Sequence, residues 1–184
     1  MDEREYYNKV YLDSIEYKKH PSESKYLKIW NRIVELINSD EWIFEIGCGP
    51  GQLAKLLIDN GKNYSYGWDY SEVAIDMARK NNPEHGDKFV VQDVYTLPKF
   101  DPDDTVICTE VLEHLDDDLF VLDLLSKGTR FLFSVPNFIC TSHRRCFKSA
   151  EQVRKRYQGL EYKSITPFKM GRKGIIFLAD TVKL

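Results

Sequence analysis

No stretch of this sequence approaches the roughly 20 consecutive apolar residues that cross a bilayer, and its longest apolar runs are strand-sized. A membrane span is therefore not expected. The amino terminus, Met1-Asp2-Glu3-Arg4-Glu5, lacks the apolar stretch of a secretory signal, so a cytoplasmic location is expected. Cysteine is sparse: Cys48, Cys108, Cys140 and Cys146 show neither CxxC spacing nor clustering with histidine. That pattern gives no sign of a zinc site or a disulfide framework, and the expectation is free thiols and no metal. Positive charge is not in excess, since 26 basic residues face 29 acidic ones for a net charge of -3. Without a whole-chain basic field, nucleic acid is not the expected partner. Internal repeats, low-complexity tracts and interdomain linkers are also missing.

What is present is an ordinary globular composition, 42% hydrophobic and 30% charged over 184 residues. That length buries a core without staples. We expect a single domain: an N-terminal helical segment over 1–40, a ligand-binding core over 41–138, and a loop, helix and closing hairpin over 139–184.

Periodicity supplies the elements. Helices are expected from about Glu3 to Lys19 and from Ser22 to Asn38, separated by Pro21. In the second, Tyr26, Ile29, Trp30, Ile33, Val34 and Ile37 recur at helical spacing and form one apolar stripe. From Trp42 the pattern changes to short apolar strands alternating with helices, the signature of βαβ units and a parallel sheet. Strands are expected at Trp42–Ile46, Tyr64–Trp68, Lys88–Gln92, Thr105–Thr109 and Arg130–Val135, with helices at Gln52–Asn60, Ser71–Asn81, Asp117–Leu125 and near Ala150–Tyr157. Two last strands, Tyr162–Phe168 and Ile175–Val182, read as a hairpin. The fold class is then α/β: a Rossmann-like, doubly wound, mostly parallel sheet of about seven strands, with an antiparallel C-terminal hairpin and helices on both faces.

The motif with chemical content is Glu45-Ile46-Gly47-Cys48-Gly49-Pro50-Gly51, a glycine loop between a strand and a helix. Gly47, Gly49 and Gly51 let the backbone turn sharply and approach a ligand where side chains would intrude. Nicotinamide and flavin enzymes use a related loop, but here the sixth position is Gln52 rather than glycine. Asp69 closes the second strand, where a carboxylate can accept both hydroxyls of a ribose, and Asp93 closes the third, where one can accept from an adenine amine. The bland alternative is that both only cap the following segments. Similarly, Asp116-Asp117-Asp118 reads as a solvated helix start rather than a metal site.

Taken together, Glu45-x-Gly47-x-Gly49-x-Gly51, Asp69-Tyr70-Ser71, Asp93 and Cys108-Thr109-Glu110-Val111-Leu112-Glu113-His114 resemble the ordered motifs of class I S-adenosylmethionine-dependent methyltransferases, over roughly residues 42–138. Within that superfamily the likeness is to the small-molecule, "methyltransferase type 11"-like branch. The resemblance implies S-adenosyl-L-methionine as methyl donor, S-adenosyl-L-homocysteine as product, and a small-molecule acceptor methylated on oxygen or nitrogen. It implies that Gly47, Cys48, Gly49 and Gly51 meet the methionine moiety, Asp69 with Tyr70 the ribose, and Asp93 with Val94 the adenine. Glu110 would lie beside the methionine part or the reaction centre, and Glu45 would brace the loop.

Acceptor residues should come from the variable segments. Tyr6, Tyr7, Tyr11 and Tyr17 can form an aromatic lid against a sulfonium, or simply pack a helix. His143 is the general-base candidate, His114 either supports the site or faces the ligand, and Arg144 with Arg145 can grip an anionic acceptor group. Three other functions stay open. They are an RNA or protein methyltransferase docking through Arg144–Arg156, a non-catalytic S-adenosylmethionine-binding module, and a nicotinamide-dependent oxidoreductase.

Overall fold

The computed structural model describes residues 3–184. Of the charged amino terminus, Met1 and Asp2 lie outside the described residues. The chain packs as two compact units, Met1–Leu97 and Pro98–Leu184.

In the first unit, α1 (Glu3–Asp13) is followed by two 3-10 turns, Ile15–Lys18 and Pro21–Glu23, and then by α2 (Leu27–Leu36). The first expected helix therefore ends about six residues early. Ser14, in extended geometry, breaks it, and Pro21 opens the next turn. In α2 the predicted stripe is the buried face: Ile29, Trp30 and Ile33 are buried, with Ile37 just beyond the end. Burial of Ile33, at 0% exposure, stabilises by about 1.5–3 kcal/mol.

Next come β1 (Trp42–Ile46), α3 (Gln52–Asp59), β2 (Tyr64–Asp69), α4 (Glu72–Asn81) and β3 (Phe89–Val91). Their strands run parallel in the order β3-β2-β1. Gly61, at φ 68°, stops α3 in the left-handed region, and Ser71 caps α4 by accepting from the Ala74 N–H at 3.1 Å.

The second unit holds β4 (Asp104–Thr109), α5 (Phe120–Leu124), β5 (Arg130–Pro136), α6 (Ala150–Arg156), β6 (Leu160–Met170) and β7 (Gly174–Lys183). β4 and β5 are parallel; β7 lies antiparallel between β5 and β6, giving the order β4-β5-β7-β6. The closing hairpin is thus present and longer than its apolar cores suggested, because ladder hydrogen bonds carry it to Met170 and Gly174. Seven strands are found among the described residues, β1–β3 parallel in the first unit and, in the second, β4 and β5 parallel with β7 and β6 antiparallel, as the Rossmann-like class requires. No described helix is long and apolar enough to cross a membrane.

Candidate active site

Two polar clusters stand out, one in each unit. In the first, β1 delivers the glycine loop. Gly47, Gly49 and Gly51 all have positive φ (70°, 52° and 70°), and the Gly47 and Cys48 N–H groups donate to the Trp68 carbonyl at 2.7 and 3.0 Å. A side chain at Gly51 would lie 2.8 Å from Asn82 Nδ2 and 3.0 Å from Ala78 Cβ, so glycine is a packing requirement there. Asn81 Nδ2 donates to the Pro50 carbonyl at 2.9 Å and Asn82 Nδ2 to that of Gly51 at 3.2 Å. The end of α4 thereby fixes the loop.

Asp69 closes β2 and is 5% exposed. Its Oδ2 accepts from the Gly49 N–H at 3.0 Å and from the Tyr11 hydroxyl at 3.4 Å, while its Oδ1 accepts from the Ser71 N–H at 2.9 Å. Burial outweighs these bonds and pushes its carboxyl up to about 6. Asp69 therefore does more than cap a helix. Its second oxygen ties the strand end to the glycine loop, and a carboxylate so held is preorganised to accept from hydroxyls.

Glu45 is buried beneath the loop, its Oε2 accepting from the Tyr64 hydroxyl at 2.8 Å. Burial pushes Glu45 up to about 8. Tyr64 and Gly67, which sequence reasoning passed over, make this arrangement. A side chain at Gly67 would lie 2.3 Å from the Tyr64 hydroxyl and 2.9 Å from Cys48 Cβ. A glycine inside a strand is the one available signal for so close an approach. Burial also pushes the Cys48 thiol well up, which fits a packed residue rather than a nucleophile.

The N-terminal tyrosines gather over this loop. Tyr11 is buried, and a side chain at Gly49 would lie 3.4 Å from its hydroxyl. Its ring centroid is 4.7 Å from that of Tyr17 and 6.4 Å from that of Tyr7, and Tyr7 meets Tyr70 at 5.8 Å. Gln52, the residue that departs from the dinucleotide pattern, holds the segment down: its amide donates to the carbonyls of Lys19 at 2.7 Å and Glu16 at 3.3 Å. Asp93 is half-buried and accepts from the Tyr95 N–H at 3.0 Å, opening the 3-10 turn Val94–Thr96. In this structure it makes the capping bond that was the bland alternative.

The second cluster follows β4. Glu110, at φ 54°, accepts from the Ser134 hydroxyl at 2.8 Å. Glu113 is 0% exposed, and neither of its carboxylate oxygens has a hydrogen-bond partner. Burial pushes it well above the ordinary carboxylate range. His114 Nε2 lies 3.9 Å from Glu113 Oε1, and the His114 and His143 rings meet edge to face with centroids 4.8 Å apart. Burial lowers His114 to about 4, so it is neutral at pH 7.

Two expectations for this region are corrected. Arg144 and Arg145 are not an open anion grip. Arg144 donates through its backbone N–H to the Glu113 carbonyl at 2.8 Å and through Nε to that of His114 at 2.9 Å, and it pairs with Asp116 at 2.9 Å. Arg145 donates to the carbonyls of Leu112, Leu115 and Asp116. Their donors are used to staple the loop bearing His143 onto the turn bearing Glu113 and His114.

Nor is Asp118 a solvated helix start. It is 0% exposed and accepts from Arg156 and from the Tyr157 hydroxyl at 2.9 Å, with Arg145 Nε at 3.4 Å. The helix itself begins only at Phe120, where Asp117 Oδ1 accepts the N–H at 3.3 Å. Three of the arginines in the Arg144–Arg156 segment are thus committed internally, which weakens it as a docking surface.

Comparison with known proteins agrees with this geometry. Residues 44–127 match a family model described as a methyltransferase domain. An uncharacterised methyltransferase of Geobacillus sp. strain WCH70 is 32% identical over 125 residues, 62% of this chain and 55% of that protein. A ubiquinone biosynthesis O-methyltransferase of Vibrio cholerae serotype O1 is 29% identical over 61% of this chain and 49% of its own. The chain thus spans about half the length of these curated relatives. Among solved structures, magnesium protoporphyrin IX methyltransferase from Synechocystis PCC 6803 with bound S-adenosylmethionine superposes with TM-score 0.71 at 20% identity, covering 100% of this chain and 98% of that one. N-methyltransferase NodS from Bradyrhizobium japonicum WM9 gives 0.72 at 15% identity, with 98% and 99% covered.

Proposed function

We propose that this chain, whose residues 44–127 form a class I S-adenosylmethionine-dependent methyltransferase domain, transfers a methyl group from S-adenosylmethionine to an oxygen or nitrogen of a small molecule. The observation that carries the proposal is Asp69: a buried carboxylate at a strand end, fixed by backbone N–H groups and facing a glycine loop with three residues of positive φ.

When bound, the donor supplies an electrophilic methyl on a sulfonium, so the protein's work is alignment and exclusion of water. Asp69, ionised above about pH 6, accepts the ribose hydroxyls. Glu45, largely neutral at pH 7 with its value near 8, ionises as the cationic methionine end approaches. The Gly47–Gly51 backbone admits the methionine moiety, and Val94 beside Asp93 serves the adenine. Tyr11 and Tyr17, with Tyr7 and Tyr70, cover the loop and exclude water. A relative named for O-methylation in ubiquinone biosynthesis supports the acceptor class.

The test is thermal stabilisation by S-adenosylmethionine, S-adenosylhomocysteine and NAD, followed by an acceptor screen with mass-spectrometric detection of methyl addition. Stabilisation by both adenosyl ligands and not by NAD is expected. No shift with either adenosyl ligand would refute the reading.

A further inference from the structure

We propose that Glu113, His114 and His143 form a binding site for one divalent first-row transition-metal ion. The sequence expectation was no metal, because the four cysteines show neither CxxC spacing nor clustering with histidine. The fold brings one ligand atom from each of the three within 4.8 Å of the others.

Three independent features point to a cation. The first is the carboxylate. Glu113 is 0% exposed and both its oxygens are without a hydrogen-bond partner, whereas buried carboxylates are ordinarily paired, hydrogen-bonded or bound to metal. The second is the orientation of the imidazoles. His114 Nδ1 lies 3.1 Å from the Ser142 carbonyl and His143 Nδ1 lies 3.0 Å from the Phe138 carbonyl. A carbonyl oxygen only accepts, so each neutral ring carries its proton on Nδ1 and its lone pair on Nε2. Metal-binding histidines are commonly oriented by such a second bond to a backbone carbonyl.

The third is the clamp. Arg144 and Arg145 bond the carbonyls of Leu112, Glu113, His114, Leu115 and Asp116, fixing the His143 loop against the turn that carries the other two ligands. Metal bonds of about 2.1 Å place tetrahedral ligand atoms about 3.4 Å apart. The His114 Nε2 to Glu113 Oε1 separation of 3.9 Å is already near that, and side-chain rotation of about 1 Å closes the set.

Two imidazoles and one carboxylate suit zinc, iron, cobalt or nickel better than magnesium or calcium, which prefer all-oxygen sites. Three protein ligands leave positions open. Resting on the proposed methyl transfer, an acceptor hydroxyl entering one of them would release its proton to solvent more readily. On this view His143 acts through the metal and not as the general base itself.

The experiment is binding of Co(II) to chelator-stripped full-length protein, followed by visible absorption and by metal content after equilibrium dialysis, with Zn(II) as competitor. One Co(II) per chain is expected, with intensified visible bands of a site of fewer than six ligands. His143→Ala and Glu113→Gln should each lower affinity at least tenfold while S-adenosylhomocysteine binding stays at the wild-type level, which reports an intact fold. Wild-type protein that takes up no stoichiometric Co(II), or variants with wild-type affinity, would overturn the site. Metal uptake without binding of either adenosyl ligand would leave the site standing and instead remove the methyl-transfer reading.

Discussion

Asp69 and Glu113 are both buried carboxylates placed at or just beyond the C-terminal end of a parallel strand, and they are satisfied in opposite ways. Asp69 accepts from two backbone N–H groups and one tyrosine hydroxyl; Glu113 accepts from nothing. The difference shows in their proton affinities, Asp69 being held near 6 while Glu113 is driven well above its ordinary range. Hydrogen bonds to the charged form offset much of the burial at Asp69. A carboxylate prepared in that way can add neutral hydroxyl donors, as a ribose provides. One without hydrogen bonds is offset only by nearby charge, here that of Arg145.

Variants can break or sharpen this contrast. The largest effect is expected from Asp118→Ala, which strips a third buried carboxylate from Arg145, Arg156 and Tyr157. Stability should fall by about 2–4 kcal/mol, the lower part of the range for breaking a buried pair because Arg156 reaches solvent, measured by chemical denaturation. Asp69→Ala should weaken S-adenosylhomocysteine binding about a hundredfold, the loss of about 3 kcal/mol in charge-assisted hydrogen bonds, read by calorimetry. Metal uptake by the same variant should be unchanged. Tyr64→Phe leaves Glu45 Oε2 without its partner and should lower stability by about 1–2 kcal/mol.

The pH dependence carries a sign that separates two effects. Because the folded value of Asp69, about 6, exceeds its ordinary 3.8, the folded ligand-free protein binds more protons than the unfolded chain between those values. This group's contribution to stability therefore falls as pH rises through pH 4–6. Donor affinity should do the reverse, rising about fivefold from pH 5 to pH 6 and about tenfold by pH 7 as the carboxylate ionises, and then levelling. Parallel slopes in the two titrations would remove Asp69 from donor binding. The smallest effect is expected from Tyr11→Phe, less than about 1 kcal/mol on donor affinity, since its bond to Asp69 is long at 3.4 Å.

Much of the geometry around the glycine loop was legible in the sequence because its determinants are local. Strand periodicity located β1 and β2, glycine spacing located the turn, and the first polar residue after each apolar run marked a strand end. What stayed hidden depends on register and on packing between separated segments. The Tyr64–Glu45 bond follows from pairing of β1 with β2, and Gly67 shows its purpose only once Cys48 and the Tyr64 hydroxyl are placed beside it. The aspartate run misled for the same reason. Asp116 and Asp117 are exposed as composition suggests, but Asp118 is turned inward by Arg156 and Tyr157, which arrive from a helix much later in the chain. Glu113 was quoted within its motif without a role, since a neighbouring histidine gives no hint that the carboxylate lacks a partner.

The Gln52 bonds to the carbonyls of Glu16 and Lys19 also bear on kinetics. They tether the segment that carries Tyr11 to the first residue of α3, one position past the glycine loop, so the hydroxyl that reaches Asp69 has its backbone moored to that same loop. On the proposed function, a donor bound at Asp69 should hold that segment in place. The protease sensitivity of the first twenty residues should record occupancy of the donor cleft before any product is formed.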